Sequence, residues 1–156
     1  DVEMVRPAFN SIGIMYLISL FKSPLPTRLP TKRIKDSDEI LIIGPIWGGL
    51  LVAPLRVAIK ECVKLAKPIH FAVTCESIED YQNGRYGFNR VLQSARRIGG
   101  NLVKTTAAFL TSLIVGSTGK TTLNIEGKPK FTDENFGPEL CERLNDFVRR
   151  VLGKAN

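Results

Sequence analysis

The feature that most constrains this chain is its regular succession of short apolar runs and longer amphipathic stretches. Glu39 to Gly44, EILIIG, is uninterrupted and apolar after its leading acid and is closed by Gly44-Pro45. Such a run predicts a strand of a parallel sheet, covered on both faces. After a glycine-rich turn, Leu55, Ala58, Ile59, Cys62, Val63 and Ala66 recur at helical spacing, with Arg56, Lys60, Glu61 and Lys64 opposite. That is an amphipathic helix opened by Pro54 and stopped at Lys67-Pro68. Ile69 to Thr74 predicts a second strand, and Phe88, Val91, Leu92, Ala95 and Ile98 a second helical stripe ended by Gly99-Gly100.

The alternation continues. Asn101 to Thr106 and Ala107 to Val115 are strand-like, Thr121 to Phe131 reads as a hairpin turning at Glu126-Gly127, and Leu140, Leu144, Phe147, Val148 and Val151 line a last helix. At the start, Asp1 to Arg6 alternates like a strand. Phe9 to Phe21 predicts a helix apolar nearly all round, a pattern that normally means burial. Strand and helix in alternation predict one α/β domain, a parallel sheet with helices on both faces.

Composition narrows the classes. A chain of 156 residues, 44% apolar, buries enough surface to need no disulfide or metal. Cys62, Cys75 and Cys141 form no CxxC pair, which argues against a disulfide framework or zinc site and for a reducing cytoplasmic setting. The longest apolar stretch, Ile12 to Phe21, falls short of the ~20 residues that span a bilayer. The formal charge of +7 favours anionic partners without identifying them. Its local part, Lys22, Arg28, Lys32, Arg33 and Lys35 among three prolines, reads as a solvated loop. No aromatics are interleaved for base stacking, so nucleic acid is not an expected partner.

In parallel sheets of this kind ligands sit at the carboxyl ends of the strands, which directs attention to Pro45 to Leu51 and Cys75 to Gly87. In GPIWGG, Trp47 offers a flat apolar face, and Gly48 and Gly49 are expected to let the backbone approach a ligand closely. The second loop brings Thr74, Cys75, Glu76, Ser77 and Tyr81, hydrogen-bonding groups suited to the edge of a heteroaromatic ring. Cys75 is not expected to be a nucleophile, because the single histidine, His70, lies at the far end of the same strand and reads as structural. GSTGKTT, Gly116 to Thr122, resembles a phosphate loop, but Ile114 stands where GxxxxGK[ST] needs glycine. No GxGxxG and no paired histidine ligands occur.

Asp38 to Glu61, DEILIIGPIWGGLLVAPLRVAIKE, followed by HFAVTCES, resembles the flavodoxin-like family of FMN-binding proteins. The likeness extends over most of the chain, with Gly44 to Lys60 its specific part. It implies a three-layer sandwich on a twisted parallel sheet of order 2-1-3-4-5 with FMN at the switch point, the arrangement that flavodoxin itself exemplifies. Pro45, Ile46, Trp47 and Gly48 would then form the loop covering one isoalloxazine face. Thr74, Cys75, Glu76 and Ser77 would meet the ring edge, and Tyr81 the other face. The implied activity is electron transfer or NAD(P)H-linked reduction, with NAD(P)H or a redox partner protein and room for a homo-oligomer. The family's first strand, Ser/Thr-rich phosphate loop and first helix have no counterpart upstream of Trp47, so the chain is expected to start at the second strand. The competing expectation is a cofactor-free interaction module of the same fold, using the helix from Ile12 to Phe21 as a partner or membrane-surface face.

Overall fold

The computed structural model describes residues 2–3, 5–7, 11–21, 26–76, 79–114, 132 and 135–153. The hairpin expected at Thr121 to Phe131, the GSTGKTT segment and Ser77 lie outside them. In chain order the elements are β1 (Arg6–Pro7), α1 (Ile12–Leu20), β2 (Thr27–Arg28), α2 (Thr31–Asp36), β3 (Ile40–Pro45), α3 (Ala53–Lys64), β4 (Ile69–Cys75), α4 (Phe88–Gly99), β5 (Val103–Leu110) and α5 (Pro138–Val151).

β3, β4 and β5 form a parallel sheet in that order, with Ile42 opposite Phe71 and Phe71 opposite Thr106. Because strand side chains alternate, the two faces carry different cores. Ile42, Ile69, Phe71, Val73, Ala108 and Leu110 pack with Leu55, Ile59 and Cys62 of α3 and Val91 and Ala95 of α4. On the other face Ala72, Ala107 and Phe109 pack with Leu140 and Phe147 of α5, where the two phenyl rings meet edge to face at 6.1 Å. The architecture is therefore α/β, a three-strand parallel sheet flanked by helices.

α4 follows its predicted stripe, and α3 follows it through Leu55, Ala58, Ile59 and Cys62, but Val63 is exposed, Ala66 lies beyond the helix, and Arg56, expected on the polar face, is buried. Val52 caps α3 and a proline stands in its first turn. The helix ends where Ala66 adopts φ of 53° and the Lys67 amide returns to the Cys62 carbonyl at 2.8 Å.

Four expectations change. The two strand-like stretches after Gly100 are one strand, β5. Among the described residues the N-terminal strand is the Arg6–Pro7 pair, antiparallel to Thr27–Arg28 and separate from the parallel sheet. The basic loop contains a helix, α2, because Ile34 is buried in the core while Lys32, Arg33 and Lys35 stay exposed. Among the described residues β3 is covered on one face only: α5 lies over β5 and β4, leaving Leu41 and Ile43 at 50% and 55% exposure.

α1 departs furthest from expectation. Ser19 is buried, while Ile14, Leu17, Leu20 and Phe21 are exposed. The helix is held by polar contacts at its end. The Ser19 hydroxyl accepts the Ala53 amide at 2.8 Å and donates to the Met15 carbonyl at 2.7 Å. The buried Arg56 guanidinium, its pKa lowered by desolvation, donates to the Ile18 and Ser19 carbonyls at 3.4 Å each.

Candidate functional site

The carboxyl ends of β3 and β4 carry the two loops singled out by the sequence. Pro45 stands opposite Thr74, and the Ile46 amide continues the ladder to the Thr74 carbonyl at 3.1 Å. The chain then reverses: the Leu50 amide bonds to the Trp47 carbonyl at 3.0 Å around Gly48 and Gly49. Their φ values of +54° and +70° are both positive, as in a type I′ turn, which glycine enters without steric cost.

These glycines serve the protein's own packing. A Cβ on Gly48 would stand 3.3 Å from the Tyr16 ring, and one on Gly49 would stand 2.6 Å from the Arg85 carbonyl and the Tyr86 Cα. The close approach expected for a ligand is thus made by α1 on one side and by the loop after β4 on the other. Trp47 is half-buried against the apolar core, beside the half-buried Ile46.

At the end of β4, Thr74 and Glu76 are half-buried and Cys75 is buried. The Thr111 hydroxyl, just past β5, donates to the Cys75 carbonyl at 3.4 Å and ties the ends of β4 and β5 together. Cys75 faces the α3–α4 core. His70 is on the opposite face and at the opposite end of β4, within 2.7 Å of Thr105 Oγ1 and 3.3 Å of Glu39 Oε2. A Cys–His dyad is thereby excluded, and His70 has the structural role expected of it, linking β4 to β5 and to the start of β3.

Tyr81 follows in a single 3₁₀ turn, Glu79–Tyr81, and is 66% exposed. The loop closes through the Gly84 amide to the Tyr81 carbonyl and through Asn89 of α4. The Asn89 amide nitrogen Nδ2 donates to Gln82 Oε1 at 3.1 Å and to Asn83 Oδ1 at 2.8 Å. Arg85 lies 5.7 Å from the centroid of the exposed Tyr86 ring. Tyr16, Arg85 and Tyr86 carried no recognisable signal, since each reaches this end of the sheet through tertiary packing.

This end can present a flat aromatic face, two further exposed tyrosines and hydrogen-bonding groups to a planar ligand. The paired glycines are filled by protein, and no phosphate cradle is seen among the described residues. Likewise no cluster of histidine, cysteine, aspartate or glutamate among them could hold a metal ion. No family model, curated protein or solved structure matches the chain.

Proposed function

We propose that the chain is a flavodoxin-like protein that binds FMN and serves electron transfer or NAD(P)H-linked reduction, with NAD(P)H or a redox partner protein as donor. The observation that carries this reading is that the loop leading to Trp47 leaves β3 beside the end of β4, Pro45 opposite Thr74 and the Ile46 amide on the Thr74 carbonyl, at the carboxyl end of a parallel sheet, where such folds take their ligands. A three-strand parallel sheet flanked by helices is compatible with such a layout, and in this reading β3, β4 and β5 would be strands 3, 4 and 5 of the 2-1-3-4-5 order.

In this reading Pro45, Ile46, Trp47 and Gly48 hold one face of the ring, Tyr81 the other, and Thr74, Cys75 and Glu76 its edge; Ser77, outside the described residues, completes the segment. The bound flavin supplies the redox chemistry. The protein's own part is to stack the ring, to orient its edge by hydrogen bonds and to limit water through the half-buried Trp47.

Trp47 is the only tryptophan, so its emission reports one loop. FMN and riboflavin, titrated separately, are expected to quench it saturably. Trp47→Ala should weaken binding about two- to tenfold, the equivalent of ~0.5–1.5 kcal/mol of ring stacking, while Trp47→Phe keeps most of it. Unchanged emission well above micromolar FMN overturns the proposal. A second reading, a cofactor-free interaction module, is favoured by one observation: Ile14, Leu17 and Leu20 of α1 are exposed.

A further inference from the structure

We propose that α1 docks on an anionic lipid surface. Ile14, Leu17 and Phe21, at i, i+3 and i+7, form one stripe exposed at 45%, 52% and 72%, with Leu20 beside it at 47%. Exposure of an entire apolar stripe on an ordered helix marks a surface awaiting a partner. The helix is fixed from its other side: Ser19 is buried against the start of α3, Arg56 holds the Ile18 and Ser19 carbonyls, and Met15 and Ile18 are half-buried. The fold thus makes a two-sided element from a uniformly apolar sequence, and turns its apolar side outward.

Charge selects the occupant. Between Glu3 and Asp36 the chain carries Arg6, Lys22, Arg28, Lys32, Arg33 and Lys35 and no acid; of these bases Arg33 is paired with Glu3 at 2.6 Å. A second copy docked through this face would set two such segments against each other. A bilayer with anionic headgroups takes up the apolar side chains at its interface and neutralises the bases, the pairing of two weak signals that reversible membrane binding needs. α1 has nine residues, and no helix among the described residues is long and apolar enough to cross a membrane, so the helix lies in the interface plane. Docking rests on α1 alone and does not require a bound flavin.

The test is co-sedimentation of the full chain with phosphatidylcholine vesicles with and without phosphatidylserine. Binding is expected only to the anionic vesicles and is expected to weaken as salt rises. Leu17→Glu and Phe21→Glu, both at exposed positions, should each reduce it at least about tenfold, the loss of one buried apolar side chain. Lys32→Gln and Lys35→Gln should each reduce it about fivefold and flatten the salt dependence. Leu152→Glu, an equally exposed apolar residue after α5, should leave it unchanged. Absence of binding at low salt, or equal binding by Phe21→Glu and the parent, overturns the proposal. Lipid-free self-association abolished by Leu17→Glu also overturns it, by assigning the face to a second copy. Flavin quenching of Trp47 is read separately, so either proposal can fail while the other stands.

Discussion

The Ser19 hydroxyl caps α3 from another helix: its oxygen accepts the Ala53 amide at 2.8 Å, across thirty-four residues of chain. The first amides of a helix have no partner within it, and Val52 at the cap position has no side-chain acceptor to offer. Ser19→Ala leaves that buried amide without its acceptor and should destabilise the protein by about 1–2 kcal/mol. Urea unfolding measures this. A midpoint within error of the parent would show that the cap contributes nothing.

The two glycines of the Trp47 turn should respond differently to the same change. Gly48→Ala meets the left-handed backbone cost of roughly 1–2 kcal/mol and a tolerable contact with the Tyr16 ring. Gly49→Ala adds a collision with backbone, the Arg85 carbonyl and Tyr86 Cα at 2.6 Å, which cannot rotate away. It should cost at least ~2 kcal/mol more than Gly48→Ala. Gly48→Asn, suited to the first central position of a type I′ turn, should recover part of the loss. Thermal melts of the three variants give the ranking, and equal losses for the two alanine variants would contradict the packing described.

β3, β4, α3 and α4 were legible because their signals are local, whereas β5 read as two stretches and the expected stripe of α5 included Leu144 and Val148, which are exposed. Leu55, Ala58, Ile59 and Cys62 carry the helical period, and Gly44-Pro45 and Gly99-Gly100 supply the stops. The setting of α1 was not legible. IGIMYLISL is apolar on every side, so no period can say which side faces inward, and the side that packs is chosen by Ser19, whose partner Ala53 is remote in sequence. The Gly48–Gly49 pair was visible, but its reason was not. Two glycines in a strand-end loop look the same whether a ligand or Tyr16 and Tyr86 approach them. β3 misled in the same way, since an apolar run does not reveal that Leu41 and Ile43 stand on a face no described residue covers.

Cys62 should make stability depend on pH in alkaline solution. Burial, reinforced by the adjacent Glu61 carboxylate, pushes its thiol from 9.0 up to about 11. Between those values the unfolded chain releases a proton that the folded chain keeps, so folding is fully supported below pH ~9 and loses support as pH rises toward 11. The loss is about 2–3 kcal/mol at most. Urea unfolding from pH 8 to 11 should show a steeper decline for the parent than for Cys62→Ala, whatever the variant's absolute stability. Identical slopes would mean that the thiol titrates alike in both states. Native alkylation at pH 8 should modify the exposed Cys141 and spare the buried Cys62 and Cys75.

The two edges of the sheet are guarded unequally. On β5, Arg150 and Arg143 of α5 donate to the carbonyls of Thr106 and Ala108 at 3.2 and 3.4 Å, occupying groups that another strand would use. On β3, the Ile40 and Ile46 amides bond to the Pro68 and Thr74 carbonyls of the β4 side. Strand alternation then directs the backbone of Leu41 and Ile43 outward, where no strand pairs among the described residues. Their side chains are half exposed and no charge interrupts the strand, the conditions under which an edge templates association. The chain should therefore self-associate with rising concentration through β3. Ile43→Lys should suppress this while changing stability by less than about 0.5 kcal/mol, because the residue is already in solvent. The double variant Arg143→Ala, Arg150→Ala should do the reverse by opening the second edge. Sedimentation velocity across a concentration series distinguishes these outcomes. Association that Ile43→Lys leaves untouched would place the contact elsewhere and remove β3 as its cause.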